Sequence, residues 1–386
     1  MMEEWKQYRL IDVLDTLIDY RGKTPKKTAF GVPLITAKII KNGRIETPSE
    51  FISLNDYDSW MVRGFPKVGD VVLTTEAPLG EVAQLDDANI ALAQRVVTLR
   101  GKSGVLDNTY LKYYFLSNVG HQRLKARETG TTVTGIKQSE LREVIVDVPP
   151  YEIQVRISNI LKSLDDKIEV NRKINENLEQ QAQALFKSWL KKCEDEVTIG
   201  DLSLNITDYT KCEQKQVVLI NSSDVTEGRF EHHNLSENKN LKGHFNKRFQ
   251  KGDILYSQVR PRNRHWGYCT FNADNYLAST QLMVIRNRPD VISSILLYQY
   301  IIENKVWMDF TLRTETRSGT FPQGNYEDLS AIKVPFGADV KEITDNLENI
   351  YSLIYKNEDE SRRLAELRDT LLPKLMSGEL KVNDIH

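Results

Sequence analysis

The stretch that most constrains this chain runs from Glu152 to Leu190, EIQVRISNILKSLDDKIEVNRKINENLEQQAQALFKSWL. Read at alternating steps of four and three, it gives Ile157, Leu161, Leu164, Ile168, Asn171, Asn175, Leu178, Ala182, Leu185 and Trp189. That is the a/d seam of a heptad helix, with charge over the remaining surface. The C-terminal segment repeats it as Ile343, Leu347, Ile350, Ile354, Asn357, Ser361, Leu364, Arg368, Leu371 and Leu375. The offset between Ile157 and Ile343, Asn171 and Asn357, and Leu185 and Leu371 is 186 in each case. Both seams carry polar residues at the same two central positions. Two helices with matching stripes and matching polar gaps are expected to pair with each other. Side-chain amides in a seam weaken a coiled coil but fix its register. In an antiparallel pair aligned about its centre, Asn171 and Asn175 face Ser361 and Asn357. The alternative is two unrelated amphipathic helices, each packed on a globular domain of its own.

The rest of the chain repeats as well. KVGDVVLTT (Lys67 to Thr75) is echoed by QKGDILYSQ (Gln250 to Gln258), and NGRIE (Asn42 to Glu46) by EGRFE (Glu227 to Glu231). ALAQRVVTLR (Ala91 to Arg100) aligns with LASTQLMVIR (Leu277 to Arg286). GTTVTGIKQSELREVIVDVP (Gly130 to Pro149) aligns loosely with GTFPQGNYEDLSAIKVP (Gly319 to Pro335). The offsets are 183, 185, 186 and 189, in one order along the chain. The sequence therefore reads as a tandem duplication of a globular domain followed by a heptad helix. The expected divisions are 1–150, 151–196, 197–337 and 338–386. The expected class is α/β (α+β), with two duplicated domains joined by two long antiparallel coiled-coil helices into a pseudo-two-fold object. In the first copy the pattern predicts a short helix from Arg9 to Ile18. It predicts strands at Val32 to Thr36, Val71 to Thr75, Arg95 to Leu99 and Val144 to Val148, and a helix at Asn108 to Leu116.

At 386 residues more than one core is expected. No apolar run reaches the ~20 residues that span a bilayer. MMEEWKQYRL is acidic where a signal peptide is basic, and Cys193, Cys212 and Cys269 have neither paired nor metal-like spacing. A cytoplasmic protein with free thiols is the expectation, with no membrane partner and no metal on the adjacent His232 and His233. The net charge of −2 divides unevenly: residues 151–196 carry −1 and residues 338–386 carry −4, which leaves +3 for the two globular copies. Acid sits on the helices and base on the domains, which suits protein contacts on the former and local basic loops on the latter.

Catalytic motifs are missing where they would have to be. An exocyclic-amine methyltransferase needs Asn/Asp-Pro-Pro-Tyr/Phe, and Val148-Pro149-Pro150-Tyr151 has valine at the position that grips the amine. The two prolines read as a helix-start device. Asp70 and Glu76 have no nuclease lysine two positions beyond Glu76, and no Gly-x-x-x-x-Gly-Lys-Ser/Thr loop binds ATP.

The ordered set of these strings resembles the specificity subunit of type I restriction–modification systems, over essentially the full length. It comprises the domain–helix–domain–helix order, KVGDVVLTT and QKGDILYSQ, GTTVTGIKQSELREVIVDVPP leading into PPYEIQVRISNIL, LEQQAQALFKSWL, and LAELRDTLLPKLMSGEL at Leu364 to Leu380. The resemblance implies two target-recognition domains, each reading half of a bipartite, asymmetric double-stranded DNA target. The helices would set the spacing, about 32 residues at ~1.5 Å each or roughly 50 Å, and seat two adenine-methyltransferase subunits. Translocase–endonuclease subunits would join for restriction. It also implies that this chain is non-catalytic and binds no cofactor, with S-adenosylmethionine, ATP and Mg belonging to the partner subunits. The competing reading is a coiled-coil assembly scaffold with no role on DNA, which would have no need of arginine-rich loops.

DNA readout calls for donors on loops and for phosphate anchors. In the first copy the candidates are Arg21, Lys23, Lys26, Lys27, Lys38, Lys41, Thr74, Thr75, Arg127, Thr129, Thr131, Thr132 and Lys137. In the second they are Arg260, Arg262, Asn263, Arg264, His265 and Trp266 of RPRNRHWGY, then Arg313, Thr314, Thr316, Arg317, Ser318 and Thr320. Asn246, Lys247 and Arg248 form a weaker group. Each of these charges has the plainer reading of a solvated loop residue.

Overall fold

A computed structural model describes residues 5–22, 24–130, 134–239, 241, 243–316, 322–337 and 339–382. The chain divides into two compact units, Met1–Val170 with Glu360–His386, and Asn171–Asp359. Two long helices, Tyr151–Leu190 and Val340–Met376, run through both.

In the first unit an antiparallel sheet has the strand order Leu14–Asp19, Val96–Gly101, Val71–Thr75, Leu79–Gln84. A second sheet orders Ala91–Leu92, Val32–Ile35, Phe51–Ile52 and Lys27–Thr28, its first pair parallel. The edge pair of Lys6–Arg9 with Ile145–Val148 leads the chain into the first long helix. Helices Asn108–Leu116 and Asn118–Lys125 pack beside the first sheet, where Tyr110, Tyr113, Tyr114 and Phe115 are fully buried.

The second unit repeats this plan with other residues. Its antiparallel sheet runs Ser203–Asn205, Leu282–Asn287, Ile254–Ser257, Trp266–Tyr268. Its mixed sheet runs Leu235–Glu237, Gln216–Ile220, Tyr276–Ser279, Phe245–Lys247, again with one parallel pair. NGRIE and EGRFE are both tight hairpin turns. Asn42 and Gly43 have φ of 50° and 83°, Glu227 and Gly228 have 47° and 95°, and both turns are of the primed type that matches strand twist.

The Lys/Gly/Asp turn is a structural device in both units. Asp70, 1% exposed, accepts from the Lys67 amide at 2.8 Å and takes a two-pronged bond from Arg100, both prongs at 2.7 Å. Asp253, also 1% exposed, accepts from the Gln250 amide at 2.8 Å and from Arg286 at 2.6 and 2.7 Å. Each carboxylate closes the turn that starts the central strand and ties it to the neighbouring strand.

The helix seams form as the heptads require: every a/d residue of both helices is buried or half-buried. Within the second unit the helices are antiparallel. The Asn357 amide donates to Asn175 Oδ1 at 2.8 Å, while Asn175 donates to the Ile354 carbonyl at 3.1 Å and Asn171 to the Asn357 carbonyl at 3.4 Å. Within the first unit Arg368, the charged seam residue, meets Asp165 at 2.8 Å, and Ser361 sits half-buried in its seam position. The start of the first long helix is fastened by Gln154, which is fully buried. Gln154 donates to the carbonyls of Val105 and Pro149 and accepts from the Asp107 amide.

One expected element differs. Only Leu10–Val13 of the Arg9 to Ile18 stretch is helical, and Leu14–Asp19 is an edge strand paired with Val96–Gly101. Leu14 and Ile18 are buried in either conformation, so their spacing does not decide between the two. The unpaired edge of Val96–Gly101 does.

The buried carboxylates yield a stability prediction. Arg100→Leu or Arg286→Leu leaves a buried Asp without its cation, at a cost of about 2–4 kcal/mol. The double change D70N/R100L costs less than the sum of its parts. Urea unfolding of the wild type, R100L, R286L, D70N and D70N/R100L checks both statements.

Candidate nucleic-acid interface

In each unit the central strand after the Lys/Gly/Asp turn ends at a loop, and a second loop folds back onto that end. In the first unit the Ile136 amide donates to the Thr75 carbonyl at 2.9 Å, and Gly135 bridges Glu76. Thr129 and Gly135 exchange main-chain bonds at 2.7 and 3.0 Å, closing the Arg127 to Lys137 loop into a hairpin. In the second unit the Gly324 amide donates to the Gln258 carbonyl at 2.8 Å and the Arg260 amide to the Pro322 carbonyl at 3.1 Å. Close approach needs glycine at both places. A Cβ on Gly135 would lie 2.8 Å from the Thr75 carbonyl oxygen, and one on Gly324 2.6 Å from the Phe310 ring.

Arg21 joins this strand end in the first unit. Its Nη1 donates to the Ile136 carbonyl at 2.7 Å, and its Nη2 lies 3.3 Å from Asp19. Arg127 pairs with Glu140 at 3.0 Å, and Lys137 is exposed at the start of the next helix. Lys26 is exposed, and Lys27 pairs with Glu50 at 2.8 Å on the second sheet. Lys38 and Lys41 belong to a separate hairpin. That hairpin is held to the Leu79–Gln84 strand by the Asn42 amide on Glu81, and Lys41 is paired with Glu46 at 3.0 Å. Lys23, Thr131, Thr132, Arg317, Ser318 and Thr320 lie outside the described residues.

The loop after Ile254–Ser257 is the most elaborately held. Arg260 and Arg264 flank a 3-10 turn at Pro261–Asn263, with φ of 49° and 55°. That left-handed backbone costs a non-glycine residue roughly 1–2 kcal/mol. Contacts around the turn maintain it. The Arg264 guanidinium lies 4.3 Å from the Trp307 ring centre, and the Trp307 indole donates to the Pro261 carbonyl at 2.9 Å. Arg262 forks onto Glu315, with Nη2 at 2.7 Å from Oε2, and holds that carboxyl below the usual range. Asn263, Arg313 and Thr316 are exposed, and His265 is half-buried with Nδ1 3.0 Å from the Val225 carbonyl.

Several candidates are core residues instead. Thr74 and Thr75 lie inside the strand, and the Thr74 hydroxyl accepts from the Glu81 amide. Trp266, 4% exposed, stacks on Tyr256 at 5.7 Å as the first residue of an edge strand. Thr314 is buried with its hydroxyl on the Phe310 carbonyl. Lys247 is buried and donates to the Thr280 and Leu282 carbonyls, and burial lowers its pKa. Trp266 carries a loop string on into a strand, whereas Thr74, Thr75 and Thr314 end a strand or a helix beside polar loop residues, so composition alone groups each with the adjoining loop. The supporting residues Trp307, Glu315, Arg63 and Arg95 are not among the readout candidates that loop composition picks out. Arg63 donates to the Asp19 and Arg21 carbonyls, and Arg95 pairs with Glu76 at 2.8 Å. Arg95, a lone charge within ALAQRVVTLR, was the one with a visible signal.

Among the described residues no group of three or more His, Cys, Asp or Glu is placed to hold a metal ion, and no helix is long and apolar enough to cross a membrane. Cys193, Cys212 and Cys269 are free thiols.

A family model for the type I restriction modification DNA specificity domain matches residues 2–180. Over 423 aligned positions the chain is 24% identical to the type I restriction enzyme MjaIX specificity subunit of Methanocaldococcus jannaschii, covering 99% of this chain and 95% of that one. It is 36% identical over 142 residues to the HindI specificity subunit of Haemophilus influenzae, a match that spans 36% of this chain and 30% of that relative. The fold matches the crystal structure of the type I S subunit from M. genitalium at a TM-score of 0.53, with 18% identity over 97% of this chain and 96% of that one. Residues 2–180 thus match the type I restriction modification DNA specificity domain, and nearly the whole chain is similar to a specificity subunit of such a system.

Two outcomes follow from this geometry. Glu315→Gln releases Arg262 from a competing carboxylate and raises affinity for non-specific duplex DNA roughly two- to tenfold at about 50 mM salt, with a steeper salt dependence. Gly324→Ala pushes its loop off the strand end and destabilises the unit by about 1–3 kcal/mol. Fluorescence anisotropy and thermal unfolding read these.

Proposed function

We propose that each unit reads one half of a bipartite, asymmetric duplex target through the loop pair at the end of its central strand. The observation that carries this reading is that both units have the same loop-on-strand arrangement but arm it differently. The first presents Arg21, Arg127, Thr129 and Lys137, and the second Arg260, Arg262, Asn263, Arg264, Arg313 and Thr316. Guanidinium forks suit guanine edges and phosphates, and an amide suits adenine. Two different sets on one scaffold call for two different words. Lys26, Lys27, Lys38 and Lys41 serve as phosphate anchors.

The paired helices set the gap between half-sites and seat two adenine-methyltransferase subunits, and translocase–endonuclease subunits join them for restriction. S-adenosylmethionine, ATP and Mg act in those partners, since this chain contributes recognition.

The test is a map of modified adenines made with the chain and its methyltransferase partner. R260A/R262A/R264A is expected to relax or erase one half of a bipartite motif and keep the other, and R21A/R127A the reverse. Each base-reading arginine contributes about 1–3 kcal/mol, roughly ten- to a hundredfold. Maps unchanged by both variants would remove the loop pairs from readout.

A further inference from the structure

The second unit contains a cavity of about 230 Å³ whose chemistry the DNA-reading assignment does not use. Its walls are aromatic: Tyr268 stacks on Tyr298 at 4.9 Å and on Tyr355 at 6.4 Å, and Tyr351 meets Tyr355 at 5.8 Å. Glu179 and Glu358, one from each long helix, stand at its rim. The buried Tyr355 hydroxyl has no hydrogen-bond partner among the described residues.

The internal repeat shows what this place is built for. Helices Asn108–Leu116 and Ser294–Ile302 correspond at an offset of 186, as do the two heptad helices. In the first unit Tyr113 donates to Asp165 at 2.6 Å; at the equivalent positions Gln299 donates to the Tyr351 hydroxyl at 2.7 Å. The first unit fills the region with its own cations. Lys112 lies 3.1 Å from Asp165 and 4.4 Å from the Tyr113 ring centre, and Arg368 reaches Asp165 at 2.8 Å. At the corresponding positions of the second unit Lys112 is replaced by Tyr298, Asp165 by Tyr351 and Arg368 by Ala182. The two cations that the first unit holds at these positions have gone, the aromatic surface has grown, and Glu179 and Glu358 have joined the lining. One guanidinium also lines the cavity, Arg229, in a long ion pair with Glu179 at 3.8 Å. Burial lifts both the Glu179 and Glu358 carboxyls above the ordinary range, and Arg229 does not reverse it.

We infer that this cavity is a socket for the cationic end of a lysine or arginine side chain from a protein partner seated on the long helices. Tyrosine faces attract a desolvated cation by about 0.5–2 kcal/mol each, and the rim carboxylates supply charge-assisted hydrogen bonds. Ligand pockets for small organic molecules run from about 300 to 1,000 Å³; this one holds a side-chain tip. That the partner is a subunit of the restriction–modification complex rests on the reading above, whereas the chemistry of the cavity does not.

The test uses the full chain labelled with 3-fluorotyrosine and ¹⁹F NMR. The probes are N-acetyl-arginine methylamide, its lysine counterpart and the neutral norleucine counterpart. Saturable shifts with arginine or lysine and none with norleucine are expected, about tenfold weaker in E179Q/E358Q. E358Q alone, at the more open of the two carboxylates, gives a smaller loss in a chain whose thermal unfolding matches the wild type. No cation-specific shift in the wild type, or undiminished binding in both variants, overturns the inference. No DNA is present, so such a result leaves the loop assignment untouched. In the assembled complex the partner is expected to block the amide. Amide binding that persists there overturns assignment to a partner side chain.

Discussion

Two buried carboxylates organise the β-rich parts of this molecule. Asp70 and Asp253 each close a turn through a main-chain amide and fasten the next strand through an arginine fork. The strand that leaves each turn then ends where two loops meet. Without the fork, the carboxylate would carry an uncompensated desolvation cost and the strand end would lose its position. In each unit main-chain bonds join the second loop to the strand end, and the side chains that brace the loops differ: Arg21 in the first unit, Arg262, Arg264 and Trp307 in the second. Keeping the frame while varying its armament is what the proposed reading of two different half-sites requires of one fold.

The helices and the repeat were legible in the sequence because both depend on periodicity. A seam with a fixed step and an offset of 186 leaves little freedom, and the Asn175–Asn357 contact follows from it. The strands at Val71–Thr75 and Val96–Gly101 were legible through apolar runs bounded by a glycine turn. The Leu14–Asp19 strand was not, since leucines spaced at three and four satisfy a helix and only a distant strand edge overrides it. In the candidate interface, charge was legible and burial was not. Trp266 and Thr314 sit beside exposed arginines in sequence and are turned inward by strand pairing and by a helix carbonyl.

Many of the exposed cations are already paired: Arg262 with Glu315, Arg127 with Glu140, Lys27 with Glu50, Lys41 with Glu46. Such surface pairs add little to stability, about 0–1 kcal/mol each. Their effect falls on binding. In the proposed readout a phosphate or base edge would have to displace a carboxylate, which would penalise contacts that offer nothing better. The left-handed turn around Pro261 would work in the same direction under that proposal, because a loop held in one strained shape spends little entropy on fitting a ligand.

The two units also differ in how they draw on the chain. One is a single stretch, Asn171–Asp359, whereas the other joins Met1–Val170 to Glu360–His386. During synthesis the first 170 residues therefore emerge without the strand of helix that completes them. Leu161 and Leu164 present an unmatched apolar stripe while the entire second unit is being made, and the second unit can close first. The order of completion is thus inverted relative to the order of synthesis. The long loop this closes adds only a modest entropic cost, since that cost grows with the logarithm of length. The exposed interval is one in which a nascent chain is open to a chaperone or to a helix of another molecule.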